Sequence, residues 1–338
     1  MLISSLTTAA WLVKPFIGYL VDNFLSKKIW IFLALVADIV IVAVVGLIGL
    51  PIALLITLLL FNSANAAFRD VSVDGVMCVE GKRLNLTGKI QSVQWISISA
   101  SGLVTGIAGG FIAEKWGYQA GFLCLIPVYL IVGLTAYFFK EERSETGKNK
   151  NRIFVDLKQL LKDKRLLIVC AFIFLYKYSP SFGTPLFFIQ RDVFKWDKIW
   201  IGTLATIATV FEITGALLYY RFSQRLQVKK WLFWSVIVGA VTTLSYLYYT
   251  PVTAVIYGII YSFMGMFIFI LVMDFMARNT VKGLEATSFA LLCSVSNLAL
   301  VASNLSGAFL LEHLALPWLI VLSSVTSFLC LPLIRKIE

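Results

Sequence analysis

Apolar residues come in blocks of about 20, separated by short polar joints, along almost the whole chain. A helix needs about 20 such residues to cross the roughly 30 Å hydrocarbon core of a bilayer. The blocks predict eleven membrane-spanning helices, at 2–21, 29–49, 52–77, 90–112, 118–139, 166–189, 199–221, 231–249, 252–276, 285–310 and 315–334. Joints such as Gly49-Leu50-Pro51 and Thr250-Pro251 read as tight turns between antiparallel neighbours. One long polar segment divides five spans from six. Its 153–161 stretch reads as an amphipathic helix on the membrane surface. The pattern thus predicts an all-α membrane protein with a first helical half over 1–139, a basic linker over 140–165 and a six-helix half over 166–338.

The halves repeat each other. Gly18-Tyr19-Leu20, leading into Lys27-Lys28-Ile29-Trp30, is echoed by Gly215-Ala216-Leu217 and Lys229-Lys230-Trp231-Leu232. Asp74 is echoed by Asp274, and the stretch from Gly110 to Glu114 by that from Gly307 to Glu312. The offset stays between 197 and 202 residues, as a duplicated, pseudo-symmetric bundle requires. Spans seven to eleven pair with spans one to five, so the sixth has no counterpart. That counterpart would lie about 35 residues before Met1. The expectation is a twelve-helix protein whose first helix this chain lacks, through a late start or a truncated gene.

Composition agrees. Of 338 residues, 59% are hydrophobic and 14% charged, with a mean hydropathy of +0.88; soluble domains carry about 25% charged residues. The net charge of +11 would suit nucleic acid, but its placement assigns it otherwise. Of 29 lysines and arginines, 22 fall in alternate joints together with the long segment and the C-terminus, and only four in the opposite joints. By the positive-inside rule the linker and C-terminus are cytoplasmic, and no nucleic-acid partner is implied. Cys78, Cys124, Cys170, Cys293 and Cys330 show no disulfide or metal spacing, and His313 stands alone, so neither a metal nor a cofactor is expected. The small-residue run from Ser99 to Gly110 lacks the strand–turn–helix setting of a phosphate loop and reads as close helix packing. Short loops without a targeting signal point to a bacterial inner membrane, with the protein a monomer there.

Two such halves joined by a basic loop resemble the major facilitator superfamily. Within it, the chain resembles the folate–biopterin transporter family. The resemblance rests on the segment Trp11 to Asp22 with its Lys14-Pro15 pair, on Asp70-Val71-Ser72-Val73-Asp74-Gly75 and on Gln91-Ser92-Val93-Gln94-Trp95. It continues through Ser179-Pro180-Ser181-Phe182 and the block from Gly283-Leu284-Glu285-Ala286-Thr287 to Asn297. The resemblance implies a secondary active transporter that moves a folate- or pterin-like solute by alternating access, coupled to protons. A carrier of another organic solute (a peptidoglycan fragment, nucleoside or organic anion) and a truncated membrane protein that does not transport stay open. An enzyme is disfavoured, because no nucleophile cluster, metal site or Ser-His pairing is visible.

Charges inside spans are the candidate site residues, since each costs roughly 2.5–3.5 kcal/mol at a bilayer's centre. Arg69, Asp70 and Asp74 lie in the third span, with the two carboxylates on one helical face. They read as an ion-pair gate, as proton-coupling carboxylates or as a snorkelling cluster; Asp74 is preferred for coupling because Asp274 repeats it. Lys14 and Asp22 flank Pro15 and Gly18, and Asp22 with Lys27 and Lys28 reads as a conformational latch between halves. Two prolines and a glycine between Tyr176 and Pro185 predict a broken sixth span. Interrupted helices are where transporters tend to hold substrate. Lys177 would take the glutamate tail of a folate, Glu212 the aminopyrimidinone edge of a pterin, and Tyr176, Tyr178 and Phe182 its face. Alternatively, Lys177 pairs with Glu212 or Asp38 only to permit insertion. Asp38 reads as a buried pair or as a ligand, and Glu285 as an acid at a helix N-terminus.

Overall fold

The computed structural model describes residues 13–141, 160 and 162–336. The start of the first span and the amphipathic stretch at 153–161, apart from Leu160, lie outside them. The described elements are helical: α1 (Lys14–Asn23), α2 (Lys27–Leu47), α3 (Ile52–Leu84), α4 (Thr87–Leu123), α5 (Leu125–Phe138), α6 (Lys164–Lys177) and α7 (Gly183–Phe188), which runs into a π-turn at Ile189–Val193. Then follow α8 (Lys198–Phe222), α9 (Val228–Ser245), α10 (Pro251–Arg278), α11 (Glu285–Leu311) and α12 (Leu316–Thr326), the last continued by short helical turns to Ile334.

Local chemistry explains the boundaries. Ser26 caps α2 by accepting from the Ile29 amide at 3.3 Å, and Asp197 caps α8 by accepting from Trp200 at 2.6 Å. Pro251 opens α10 behind a Thr250–Thr253 capping box, so the Thr-Pro joint is the expected tight turn. Gly117, at φ +80°, kinks α4 between the fourth and fifth expected spans. Eight helices among the described residues are long and apolar enough to cross a membrane, and the Thr87–Phe138 run covers two expected spans. The sixth span is broken as expected: α6 ends at Lys177 and α7 begins at Gly183.

The chain forms two compact units. Of the described residues, unit one holds those up to 84, those from 101 to 160 and those from 280 to 294, and unit two holds the remainder. The sequence halves therefore exchange two short segments. Close approach explains one: Gly18 and Gly75 let the start of α11 lie against α1 and α3, where a Cβ on either would stand 2.8–2.9 Å from Ala286 or Thr287 atoms. Ile17, Val21, Ala67, Val71, Ala286 and Ala290 form that core, flanked by a Trp30–Phe68 stack at 5.1 Å. In unit two, Gly88 likewise lets the start of α4 reach Tyr219 and Asp274, and Phe172, Tyr219, Ile270 and Leu271 are fully buried.

The small-residue run departs from expectation. A Cβ at Gly102, Gly106, Gly109 or Gly110 would meet nothing within 4 Å. Among the described residues this stripe is therefore not a helix contact; small size permits close packing but does not supply a neighbour.

Candidate functional site

Unit one gathers charges at the ends of its helices and deeper along α1, α2 and α3. At the end of α1, buried Asp22 accepts from the Ala286 amide at 3.3 Å, and from the Thr287 amide and hydroxyl at 2.8 Å each. Lys27 stands 3.4 Å from the same carboxylate. These amides open α11 and have no partner within their own helix, so Asp22 caps a helix 264 residues away and meets its positive dipole end. Glu141 caps α2 in the same way, accepting from the Lys27 and Lys28 amides at 3.0 and 2.9 Å. Lys28 Nζ reaches back to the Tyr137 and Phe139 carbonyls that end α5. Lys82 donates to the Thr280 carbonyl at 3.0 Å and lies 4.0 Å from Glu285. Of the residues expected to latch, Asp22 and Lys27 meet, whereas Lys28 serves a different helix end.

Deeper in the unit, Lys14 pairs with Asp70, and buried Asp74 is among the charges acting on Lys14. Arg69 turns the other way. It pairs with fully buried Asp38, which also accepts from Asn62 Nδ2 at 3.0 Å, and its guanidinium lies 5.3 Å from the centre of the Tyr129 ring. At 1.5 Å per residue, Asp38 is roughly 16 Å along α2 from Lys27.

In unit two, Asp274 is the hub. It accepts from the Thr87 hydroxyl, from Tyr219 Oη at 2.8 Å, and from Arg278 through two nitrogens at 2.9 Å each. Thr87 opens α4, so a carboxylate on α10 holds the first turn of another helix, in parallel with Asp22 in unit one. Adding the repeat offset of 197 to Asp22 gives Tyr219. That arithmetic would have found Tyr219 from sequence, whereas Thr87 carries no signal there.

The helix break is stitched to its neighbours. The Ser181 amide donates to the Ser303 carbonyl at 3.0 Å, Ser303 Oγ donates to the Ser179 carbonyl, and Ser179 Oγ donates to the Ser323 carbonyl at 3.0 Å. Gly307 leaves room for the Ser181 backbone. Just before the break, the Lys177 ammonium lies 4.9 Å from the centre of the Phe269 ring, and Trp95 meets that ring edge-on at 4.5 Å. Lys177 has no ion pair among the described residues, and Glu212 on α8 has neither an ion pair nor a hydrogen bond among them, so these two do not pair. The three aromatics turn to different neighbours: Tyr176 bonds Ser235 at 2.6 Å, Tyr178 stacks on Phe174, and Phe182 packs on Tyr246. Phe269 was not singled out in the sequence, because one phenylalanine in an apolar span looks like any other. Trp95 ends the Gln91–Trp95 motif, whose sequence gives it no role.

The sequence pattern of the Major Facilitator Superfamily matches residues 1–296. The chain belongs to that superfamily. Its members are transporters rather than enzymes, and this facilitator chain is a multi-pass integral membrane protein. A folate-biopterin transporter of Synechocystis sp. is 26% identical over 298 residues, covering 81% of this chain and 60% of that protein. Folate transporter 2 of Plasmodium falciparum is 22% identical, covering 89% of this chain and 70% of that one. These matches agree with the family resemblance carried by the motifs; the facilitator chain spans about 60% of the length of the Synechocystis protein. In fold it is similar to the proton:xylose symporter XylE, with a TM-score of 0.72 at 11% identity, covering 99% of this chain and 85% of that one.

Proposed function

We propose that the chain is the membrane-embedded body of a secondary active transporter for a folate- or pterin-like solute, working by alternating access and coupled to protons. The observation that carries this reading is Lys177: a cation at a helix break, without an acidic partner among the described residues, laid over an aromatic face. A charge in that setting costs too much to serve packing alone. It suits the carboxylate tail of a folate, and the Phe269–Trp95 pair suits a flat ring. The Trp95 indole N–H, buried with no hydrogen-bond partner among the described residues, adds a donor for a ring acceptor. Glu212, with Tyr176, Tyr178 and Phe182 around the break, completes the proposed binding set in unit two. The relatives named for folate and folate–biopterin transport support the cargo. Lys177 would also suit another organic anion, and that is the second reading.

In this scheme the Asp22 tie to α11 is a conformational latch, with Asp274 as its counterpart in unit two. The Lys14–Asp70 pair, Asp74 and Arg69 supply gating and proton coupling. Lysine and arginine placement puts the linker and C-terminus on the cytoplasmic side of what we take to be a bacterial inner membrane, with the protein a monomer. The test is equilibrium binding and uptake of labelled folate by protein in liposomes. Lys177→Met should weaken folate binding at least tenfold while leaving the melting temperature unchanged or raised, because it removes an unpaired cation. Unchanged affinity in Lys177→Met and Glu212→Gln overturns the site. Asp74→Asn should abolish uphill uptake and spare exchange; retained uphill uptake removes Asp74 from the coupling role.

A further inference from the structure

Two cavities in unit two share a wall. One, of about 370 Å³, lies at the α8–α9 turn and is lined by Arg225, Gln227 and Lys230, closed by Trp231 and Trp234. The other, of about 230 Å³, starts at the same two tryptophans and runs between α9 and α10, past Phe263 and Phe267 to Leu271, with Leu218 on its edge. Apart from the two indole N–H groups, Ser235 is the one polar side chain among the described residues that line it. From Trp231 to Val238 the wall descends roughly 10 Å along α9. A chamber with two cations and no acid in its lining thus opens into an apolar groove.

Neither cation has an ion pair among the described residues. The tryptophans between the chambers remain 43% and 49% exposed, an amphipathic ring pair placed where head groups meet acyl chains. A soluble anion would leave the groove empty, and an uncharged chain would leave the cations unmatched. We infer that this pair of cavities is a binding site for one anionic phospholipid, its phosphate held by Arg225 and Lys230 and an acyl chain laid between Trp234 and Phe267. Basic pockets beside transmembrane helices are a recurrent means of holding such head groups. The site also touches the Asp274 hub: Trp231 packs on Phe267 at 5.8 Å, Phe267 on Tyr219 at 5.1 Å, and Tyr219 donates to Asp274. A lipid that orders Trp231 therefore steadies one donor of that hub.

The test is native mass spectrometry and thermal shift on the full chain in detergent. The probes are dioleoyl phosphatidylglycerol, dioleoyl phosphatidylcholine and inorganic phosphate. Phosphatidylglycerol should be retained and stabilising where phosphatidylcholine is not, and phosphate alone should do nothing. Arg225→Gln with Lys230→Gln should weaken phosphatidylglycerol binding roughly thirtyfold, about fivefold per cation near an anionic head group. Leu218→Trp should fill the groove and weaken binding with both cations intact. Arg335→Gln with Lys336→Gln, which removes the same charge elsewhere, should leave it unchanged. Equal binding of both lipids, stabilisation by phosphate alone, an inert Leu218→Trp, or an equal loss in the Arg335 and Lys336 variant would each overturn the lipid site.

Discussion

Replacing Asp22 by asparagine keeps the shape of the side chain and removes its charge. Asp22 accepts two amides and a hydroxyl from the first turn of α11 and faces Lys27, all while 4% exposed. Hydrogen bonds to a charged acceptor contribute about 1.5–3 kcal/mol each, against about 1 kcal/mol for neutral ones. A carboxylate at a helix N-terminus adds up to about 2 kcal/mol. Asparagine offers one oxygen where three donors converge, and its amide faces at least one of them. Relief from desolvating a carboxylate offsets part of the loss. The net penalty on docking residues 280–294 against α1 and α3 is about 3 kcal/mol, or on the order of a hundredfold in that equilibrium. A native reporter is available: Cys78 on α3 is fully buried, with Asp74, Lys82 and Glu285 among the charges acting on it. Site-resolved maleimide labelling should show Cys78 reacting far faster in Asp22→Asn, with the same thiol in detergent-unfolded protein as the reference for full reaction. Thr287→Val, which removes one donor, should accelerate it only about fivefold. An unchanged Cys78 rate in a folded Asp22→Asn protein would refute the latch and the arithmetic together.

Other perturbations separate structure from chemistry. Arg69→Gln strands Asp38 at 0% exposure and should cost about 3–5 kcal/mol, read as a fall in melting temperature. Adding Asp38→Asn should restore most of it, since the pair couples. Gly307→Ala drives a Cβ into the Ser181 backbone and should destabilise the protein markedly, while Gly106→Ala, with nothing within 4 Å, should be neutral or slightly stabilising in the same thermal scan.

The helices were legible because an apolar block of membrane length leaves the backbone little choice but to satisfy itself internally. The broken sixth span was legible for an equally local reason, the prolines and glycine between Ser179 and Pro185. What could not be read was which partner each charge takes. Arg69 and Asp70 are adjacent in sequence, yet Arg69 serves Asp38 on α2 and Asp70 serves Lys14 on α1, because successive helical residues point about 100° apart. Lys177 sits in the sequence with Glu212 and Asp38 as possible ion-pair partners; the geometry gives Lys177 an aromatic face and Asp38 to Arg69. Compatible charge in sequence does not fix which side chains meet.

The repeat shows how duplicated helices can solve one problem with different residues. In each unit the first turn of a long helix, α11 or α4, is held by the ends of two helices that the repeat relates. In unit one the carboxylate comes from the first of these, as Asp22. In unit two that position is Tyr219, and the carboxylate comes from the other, as Asp274. Asp74 and Asp274 are thus equivalent in sequence; Asp274 accepts from Thr87, Tyr219 and Arg278, and Asp74 is buried, with its charge acting on Lys14. If the tie has moved from one repeat position to the other, Asp274→Asn should behave like Asp22→Asn, loosening a docked helix end. Asp74→Asn should instead act on coupling. Matching labelling and stability changes for all three variants would mean that position in the repeat, and not the local partners, decides the role.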